Sequence, residues 1–404
     1  MRTIVGLDIG TTKISALIAE VESGEETPRL VGMGMVPSDG MRRGVVVDLE
    51  KTVRSISKAI TDAELMAGVN VESVLAGISG DHIRSINSHG VIAVSRSDNE
   101  ITETDIERVI DAARAVAIPA DREIVHVIPQ DFIIDEQSGI KVPIGMSGVR
   151  LEAEVHIITA AATAIRNIYR AIGRCEQEAE ALVLESLASS YAILTDEEKE
   201  LGVAVIDIGG GTSDIAVYYD NSIRHTSTVP LGGKNVTNDI AIGLRTPIEH
   251  AEEIKKRFGA AMPSLVDAND MITVPGVGSR AAREISRNVL ASIIGPRMEE
   301  ILTMTMREVR KSNFPDSLAA GIVLTGGASL LPGTEELAEQ IFDMPVKIGY
   351  PKGFDGMTDM VNSPIHATGV GLILYGMKHG HEVARKSKTH GLFKKIEKWF
   401  NEHF

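Results

Sequence analysis

The sequence predicts an α/β protein with two related domains that face one ligand, and a short cassette that occurs twice is the main observation behind this prediction. Residues 6–13 read Gly-Leu-Asp-Ile-Gly-Thr-Thr-Lys, and residues 205–214 read Val-Ile-Asp-Ile-Gly-Gly-Gly-Thr-Ser-Asp. In each copy an apolar strand leads into a turn of Asp, Gly and hydroxyl residues. The same order of strand, turn, strand, turn, strand and helix is predicted from each cassette onward. A repeat of this size indicates two domains of common design.

The residue types in both cassettes are those that bind phosphate. Glycines let backbone N–H groups approach phosphate oxygens, and threonine and serine add hydroxyl donors. A carboxylate at the end of a strand can hold the water ligands of a Mg²⁺ ion that bridges phosphates. Asp8 and Asp207 are placed for this role. One such cassette is weak evidence because turns after strands favour the same residues, but two copies predict two phosphate loops.

A third glycine turn fits the same ligand. Residues 321–329 read Gly-Ile-Val-Leu-Thr-Gly-Gly-Ala-Ser, which is again an apolar strand that ends in a turn. A base or a ribose can lie flat against a Gly-Gly backbone, because no side chain intervenes. We therefore predict that this turn forms the wall of a nucleoside site.

Composition places limits on the function. The chain has 404 residues, of which 43% are apolar, enough for two hydrophobic cores. A net charge of −15 argues against non-specific binding of nucleic acid. No apolar run has the length of a membrane span, Met1 leads into a strand without a secretory signal, and Cys175 is the single cysteine. We therefore expect a cytoplasmic protein. Zinc-ligand motifs, a Walker loop and a serine-hydrolase elbow are absent from the sequence.

The last residues have the pattern of an amphipathic helix with an aromatic face. At about 100° per residue, six apolar side chains share an arc of roughly 140°, and three lysines lie outside it. The apolar set is Leu392, Phe393, Ile396, Trp399, Phe400 and Phe404, and the lysines are Lys394, Lys395 and Lys398. Such a stripe is often part of a core. Here it follows a polar, basic stretch at 379–390, so we predict that it lies in a membrane surface that contains anionic lipid.

These motifs resemble those of the actin, Hsp70 and sugar-kinase superfamily. The two cassettes match its phosphate 1 and phosphate 2 motifs, residues 325–327 its adenosine motif, and residues 185–190 and 363–376 its connecting motifs. In the second connecting motif, Gly369 and Gly371 are small enough for helices to cross closely. The resemblance implies an actin-like two-domain fold, with two ribonuclease-H-like halves around a nucleotide cleft.

Two additions make the chain similar to the FtsA family of actin-like bacterial cell-division proteins. One is a small α+β subdomain inserted at 83–162 in place of the usual actin subdomain, and the other is the C-terminal amphipathic helix. The resemblance implies the following division of the chain. Subdomain 1A comprises 1–82, 163–198 and 363–378, the inserted subdomain 1C 83–162, subdomain 2A 199–231 and 305–362, subdomain 2B 232–304, the linker 379–390 and the membrane helix 391–404.

The resemblance also implies an ATP site with Mg²⁺ held through water by Asp8 and Asp207. Glu185 matches a carboxylate that orients the attacking water, so ATP binding is expected and slow hydrolysis is chemically allowed. Glu252 and Lys255 match positions that hold the ribose and adenine, although a solvated charged face would have the same pattern. The remaining nucleotide contacts are Gly10, Thr11, Thr12, Lys13, Gly209, Gly210, Gly211, Thr212, Gly232, Gly233, Gly326, Gly327 and Ser329.

As a member of this family, the chain would polymerise into filaments, tether the FtsZ ring to the inner face of the cytoplasmic membrane at the septum, and recruit later division proteins. Subdomain 2B would bind the C-terminal peptide of FtsZ, for which Arg287 and Arg297 are candidates unless they are ordinary surface charges. The alternatives are a pilus- or shape-associated actin homologue, a small-molecule kinase of the same fold, and a chaperone ATPase like Hsp70.

Overall fold

The computed structural model describes residues 2–379 apart from positions 23, 26, 96, 97, 268, 279, 313, 315 and 316. The predicted membrane helix and most of its predicted linker lie outside the described residues. The strands are β1 (Arg2–Ile9), β2 (Lys13–Val21), β3 (Arg29–Pro37), β4 (Met41–Arg42), β5 (Val45–Val46), β6 (Ser73–Ile78), β7 (Arg84–Ala93), β8 (Arg122–Ile134), β9 (Gln137–Ile140), β10 (Arg150–Ala161), β11 (Glu178–Leu184), β12 (Val203–Ile208), β13 (Ser213–Tyr219), β14 (Ser222–Val229), β15 (Met271–Val274), β16 (Arg283–Ser286), β17 (Ile322–Thr325) and β18 (Val346–Ile348).

Along the chain, most helices lie between strands of the two larger sheets. They are α1 (Leu49–Ala67), α2 (Glu103–Arg114), α3 (Ala162–Gly173), α4 (Glu185–Ile193), α5 (Asp196–Leu201), α6 (Gly233–Leu244), α7 (Ile248–Phe258), α8 (Arg287–Arg310), α9 (Thr334–Phe342) and α10 (Thr358–Val361). Single 3-10 turns lie at Pro263–Leu265 and Pro364–His366, and residues 367–379 form a further helix.

The described chain forms two compact units. The first comprises residues 2–78, Asn167–Ile193 and residues 350–379, and the second comprises Ser79–Arg166 and Leu194–Gly349, in each case the described positions. A five-stranded sheet in the order β11-β6-β1-β2-β3 is the centre of the first unit. A sheet in the order β18-β17-β12-β13-β14 is the centre of the second.

Equivalent strands of the two sheets pair in the same way. β1 is antiparallel to β2 and parallel to β6, and β12 is antiparallel to β13 and parallel to β17. Both first strands are apolar and buried toward the turn that follows, as expected for the centre of a sheet covered on both faces. The prediction of two related halves, each built on a sheet, is therefore confirmed.

Glycines allow close helix packing in the first unit. A Cβ at Gly371, in the last described helix, would lie 1.8 Å from the carbonyl oxygen of Ala188 in α4. A Cβ at Gly6 in β1 would lie 2.7 Å from the carbonyl oxygen of Gly369. The predicted close crossing at the second connecting motif is thus confirmed, and it brings the end of the 3-10 turn Pro364–His366 close to the end of β1.

The inserted subdomain is a four-stranded antiparallel sheet, in the order β7-β10-β8-β9, covered by α2. Side chains of its strands donate to backbone carbonyls of β14, which is an edge strand of the second unit's sheet. Ser85 Oγ lies 2.8 Å from Thr226 O, Asn87 Nδ2 3.2 Å from Arg224 O, and Gln130 Nε2 2.6 Å from Ile223 O. The predicted small α+β insert is therefore present, and it is docked on β14.

Candidate functional site

The first predicted phosphate loop connects β1 to β2. Asp8 is buried at the end of β1, and its carboxylate pairs with the ammonium of Lys13. A Cβ at Gly10 would lie 2.9 Å from the Lys13 carbonyl oxygen, so the turn requires glycine at this place. Thr11 Oγ1 accepts a hydrogen bond from the Gly44 N–H at 3.1 Å, and Thr12 O accepts one from the Ser38 N–H at 3.1 Å. The loop is thus held by the segment that follows β3.

Two further side chains of the first unit, Glu185 and His366, lie near the end of β1 and its neighbouring strands. Glu185 begins α4 directly after β11, and its side chain lies against the backbone of β6, since a Cβ at Gly77 would be 3.1 Å from Glu185 Cγ. His366 is 6% exposed, and burial together with the Lys13 ammonium lowers its pKa to about 4, against the opposing effect of Asp8. The sequence reasoning missed His366, because one histidine in a connecting motif carries no pattern.

The second phosphate loop, residues 209–212, packs against the start of α6. The Gly209 N–H donates to Thr212 O at 2.9 Å, which closes the turn. The Gly233 N–H donates to Gly209 O at 2.9 Å, and the Lys234 N–H donates to Gly210 O at 2.8 Å. A Cβ at Gly232 would lie 2.6 Å from Gly209 O, which explains the glycine before the helix.

A buried carboxyl group lies beneath the second loop. Asp214, 3% exposed, accepts hydrogen bonds from Thr212 Oγ1 at 2.9 Å and Thr228 Oγ1 at 2.7 Å. Burial and the nearby Asp207 carboxylate raise the pKa of Asp214 to about 7, against the effect of the two hydroxyl donors. A large share of Asp214 is therefore protonated at neutral pH. The sequence places Asp214 in the second cassette, but only the fold shows that its side chain is buried.

The predicted nucleoside wall packs directly on the second loop. Gly326 has φ +82°, and a Cβ there would lie 2.3 Å from Asp207 Oδ1. The Ala328 N–H donates to Ile208 O at 3.0 Å, and Ser329 Oγ donates to Gly326 O at 2.7 Å. The turn of Gly326, Gly327 and Ser329 is thus attached to the strand that carries Asp207.

Glu252 and Lys255 of α7 form a half-buried ion pair, so they are not part of a fully solvated charged face. Lys255 Nζ donates to Glu252 Oε2 at 2.6 Å, to Thr237 Oγ1 at 2.9 Å and to Gly233 O at 3.1 Å. Burial lowers the pKa of Lys255. Burial alone would raise the pKa of Glu252, but the charge and hydrogen bonds of Lys255 and a hydrogen bond from Thr237 lower it. Thr237 was missed, although it lies one helical turn after Gly233.

Gly233 is the point where these elements meet. Its N–H is bound by the second loop, and its carbonyl oxygen is bound by Lys255. A Cβ on Gly233 would lie 3.5 Å both from Lys255 Nζ and from the Ala328 side chain. The second unit therefore brings together the second loop, the α7 ion pair and the predicted nucleoside wall.

Each unit has, at the end of its central strand, a carboxylate of the type that can hold Mg²⁺ through water. Among residues 2–379, less the omitted positions, no cluster of three His, Cys, Asp or Glu side chains could hold a metal ion alone. Magnesium in nucleotide sites usually binds through one or two carboxylates plus phosphates and waters. Asp8 and Asp207, each buried at the end of a central strand, are of the required type.

The two arginines predicted to bind a peptide have partners within the chain. Arg297 Nε donates to Asp239 Oδ2 at 2.5 Å, and the same guanidinium pairs with Glu300. Arg287 donates to Phe258 O at 2.8 Å and pairs with Asp270 at 3.3 Å. A groove of about 310 Å³ lies along α8, and its lining residues are Pro296, Glu299, Glu300, Thr303, Met304 and Arg307.

Comparison with family models gives two matches. The model described as "Cell division protein FtsA" matches residues 204–371, and the model described as "SHS2 domain inserted in FTSA" matches residues 80–159. The cell division protein FtsA of Pseudomonas aeruginosa is 51% identical over 377 residues, which cover 93% of this chain and 90% of that protein.

Solved structures show the same fold at low sequence identity. The structure titled "PilM-PilN type IV pilus biogenesis complex" has a TM-score of 0.67 at 16% identity, covering 93% of this chain and 98% of that one. MreB5 of Spiroplasma citri bound to ADP has a TM-score of 0.56 at 15% identity, covering 95% and 99%. The actin-like fold is thus confirmed. Within the described part of the chain, no helix combines the length and apolar character needed to span a bilayer.

Proposed function

Because the chain belongs to the FtsA family of cell-division proteins, we propose that it is an ATP-binding, actin-like scaffold that polymerises. This scaffold would tether the FtsZ ring to the inner face of the cytoplasmic membrane at the septum. Family membership favours this role over a pilus- or shape-associated role and over a small-molecule kinase. Recruitment of later division proteins is part of the same proposal.

The convergence at Gly233 is the observation that carries the nucleotide part of the proposal. A loop of glycines, a half-buried lysine–glutamate pair and a flat Gly-Gly turn meet at one helix start. The start of α6 contributes the positive end of a helix dipole, and its first N–H groups fix the second loop by binding the carbonyl oxygens of Gly209 and Gly210. The Glu252 carboxylate can accept hydrogen bonds from ribose hydroxyls. The actin-like protein MreB5, whose structure contains ADP, has the same fold.

Each phosphate loop has donors for a triphosphate, and each strand end has one carboxylate. We propose that Asp8 and Asp207 hold Mg²⁺ through its water ligands, where the ion would neutralise phosphate charge. Glu185 is the candidate to orient a water molecule, which would allow slow hydrolysis. Binding of ATP is the primary function proposed for these loops, and hydrolysis is secondary.

The groove along α8 is the proposed site for the acidic C-terminal peptide of FtsZ. Met304 and Pro296 supply apolar surface, and Arg307 supplies a cation. Arg297 would act through its ion pair with Glu300, which lines the groove. The groove lining has one cation, Arg307, and two carboxylates, Glu299 and Glu300, so the apolar contacts with Pro296 and Met304 would contribute most of the affinity for the peptide.

The C-terminal sequence supports the membrane part of the proposal. One short helix with few basic residues binds lipid weakly and reversibly. A filament presents many such helices at once, so its effective affinity is far higher than that of one protomer. Membrane attachment should therefore depend on ATP-driven assembly.

Liposome co-sedimentation with ATP tests this function. The full chain, a chain that ends at Gly380, Trp399→Glu and Asn401→Glu would be mixed with vesicles that contain anionic lipid. Trp399 lies on the predicted aromatic arc and Asn401 lies outside it, so Asn401→Glu is the matched control for added charge. We expect the full chain and the control to pellet, and the other two variants to stay in solution.

A second arm uses a fluorescent FtsZ tail peptide and the soluble truncated chain. Arg307→Glu should lose the peptide, whereas Arg310→Glu on the same helix should retain it. If all four chains of the first arm stay in solution while ATP binds, the membrane role is wrong. If the peptide does not bind the unmodified chain, the link to FtsZ is wrong.

A further inference from the structure

The imidazole of His366 is a buried polar group at the first phosphate loop for which the proposed ATP site has no role so far. It ends the 3-10 turn Pro364–His366, which leads directly into helix 367–379. Only 6% of the residue is exposed. Its backbone N–H is satisfied by Ser363 O at 2.9 Å, but no side chain among the described residues bonds its ring nitrogen Nδ1.

Close backbone packing fixes the position of His366. The carbonyl of Gly369 lies so close to Gly6 of β1 that a Cβ there would approach to 2.7 Å. Thr368 and Ser189 exchange a hydroxyl hydrogen bond at 3.1 Å. Because β1 leads into the first loop, this packing holds the imidazole beside Asp8 and Lys13, whose charges both act on it.

The ring is neutral at physiological pH, and its tautomer follows from its surroundings. Burial and the Lys13 ammonium lower the pKa of His366 to about 4. A proton on Nδ1 would be a buried donor without an acceptor, and such orphaned donors are rarer in proteins than unpaired acceptors. The neutral ring therefore carries its proton on Nε2, which makes Nε2–H a donor without a positive charge.

We propose that His366 is a further phosphate-binding residue of the first loop, and that its Nε2–H donates to an oxygen of the nucleotide phosphate bound at Gly10–Lys13. This rests on the proposed ATP binding of that loop. The Lys13 ammonium already pairs with the Asp8 carboxylate. The neutral imidazole of His366 therefore adds a hydrogen bond for the phosphate without placing a second cation beside that ammonium.

Titration calorimetry of the full chain with Mg-ATP tests this role. His366→Met removes the donor and keeps an apolar side chain of similar length, whereas His366→Gln keeps an N–H donor near the Nε2 position. We expect His366→Met to weaken ATP binding about tenfold, which corresponds to the loss of one hydrogen bond to a charged group. His366→Gln should stay within about threefold of the unmodified chain, and displacement by adenosine, which has no phosphate, should be equal in all three.

The outcomes separate this inference from the proposed function. If the unmodified chain does not bind ATP, the proposed ATP site is wrong and the inference falls with it. If it binds ATP and His366→Met binds equally well, only the role of His366 is wrong. Equal losses in the Met and Gln variants, or an equal loss for adenosine, would show a structural role and would also overturn the inference.

A measurement on the unmodified chain covers the case in which His366→Met does not fold. Long-range ¹H–¹⁵N spectra of protein with ¹⁵N-labelled histidine report both ring nitrogens, and comparison with His366→Gln assigns the signal. ATP should shift the Nε2 resonance of His366 and leave that of His89, which lies in β7 of the insert, unchanged. An Nε2 resonance that does not respond to saturating ATP would contradict the proposal.

Discussion

The two phosphate loops share a backbone design but compensate charge in different ways. In the first loop the cation is part of the cassette, because Lys13 pairs with Asp8 five residues earlier. In the second loop the corresponding turn has glycines and a threonine, and a lysine from another element, Lys255 of α7, binds at Gly233. A buried, partly protonated Asp214 takes the place of an ion pair beneath the loop. The repeat therefore preserves strand and turn geometry, while different residues compensate the charge in each half.

The largest effect is expected from a substitution that breaks the second loop's attachment to the nucleoside wall. In Gly326→Ala the new Cβ meets Asp207 Oδ1 at 2.3 Å, and φ is +82°. We expect loss of measurable ATP binding and a decrease of more than about 3 kcal/mol in the free energy of unfolding, because the clash adds to the backbone strain. Urea unfolding and calorimetry measure the two effects.

Gly139→Ala is the matched control for this variant. Gly139 has φ +78°, yet nothing lies within 4 Å of its added Cβ. It should cost only about 1–2 kcal/mol, the backbone strain alone, and leave ATP binding intact. Equal costs for both variants would mean that contact with Asp207 is unimportant.

Removal of the cation at each loop tests whether the two loops compensate charge in different ways. Lys255→Met should weaken ATP binding about 10–100-fold, since hydrogen bonds to charged groups contribute about 1.5–3 kcal/mol each. Lys13→Met should also weaken ATP binding, and in addition it leaves the buried Asp8 carboxylate without its ammonium. Lys13→Met should therefore lower the thermal stability of the nucleotide-free chain more than Lys255→Met does. Calorimetry and differential scanning fluorimetry measure these effects.

Lys256→Met is the control for a lost lysine on α7, because its side chain is 70% exposed. We expect its ATP affinity to stay within about twofold, as is usual for surface charges. A loss as large as that of Lys255→Met would show that net charge, and not the contact at Gly233, controls binding.

The pH dependence of stability tests the buried carboxyl group of the second loop. The folded-state pKa of Asp214 is about 7, above the ordinary value of 3.8. The folded state thus keeps a proton that the unfolded chain has lost, so this group lowers the free energy of unfolding as the pH rises from 4 to about 7. Asp214→Asn should gain about 2 kcal/mol relative to the unmodified chain between pH 5 and pH 8.

Urea unfolding at the two pH values measures this difference. Asp196→Asn is a suitable control, because that side chain in α5 is 90% exposed. Parallel pH profiles for the unmodified chain and Asp214→Asn would contradict the protonated state of Asp214.

The smallest effects are expected at Gly10 and Gly209, which occupy equivalent positions in the two loops. A Cβ at Gly10 would lie 2.9 Å from a backbone oxygen, whereas at Gly209 the nearest atom is 3.3 Å away. We expect Gly10→Ala to cost about 1–2 kcal/mol and Gly209→Ala less than about 1 kcal/mol in the free energy of unfolding. A reversed order, measured by urea unfolding, would mean that the second loop is the more constrained.

Local patterns were sufficient to predict the repeated strands and turns, because each cassette specifies its own backbone conformation. They predicted Asp8 and Lys13 in one loop for the same reason. The hydrogen bonds of Lys255 to Thr237 and Gly233 depend on how α7 packs against α6, and no spacing in the sequence encodes that contact. The raised pKa of Asp214 and the enclosure of His366 likewise arise from burial by distant segments.

The docking of the insert on β14 has a consequence for the solubility of this protein. β14 ends its sheet, and edge strands with free carbonyls can pair with edge strands of other molecules. Three of these carbonyls are bound by side chains of the insert, at Ile223, Arg224 and Thr226. The insert thus shields an aggregation-prone edge, and it holds β14 through side chains as well as main-chain atoms, because Arg224 of β14 pairs with Asp131 of β8 at 2.9 Å.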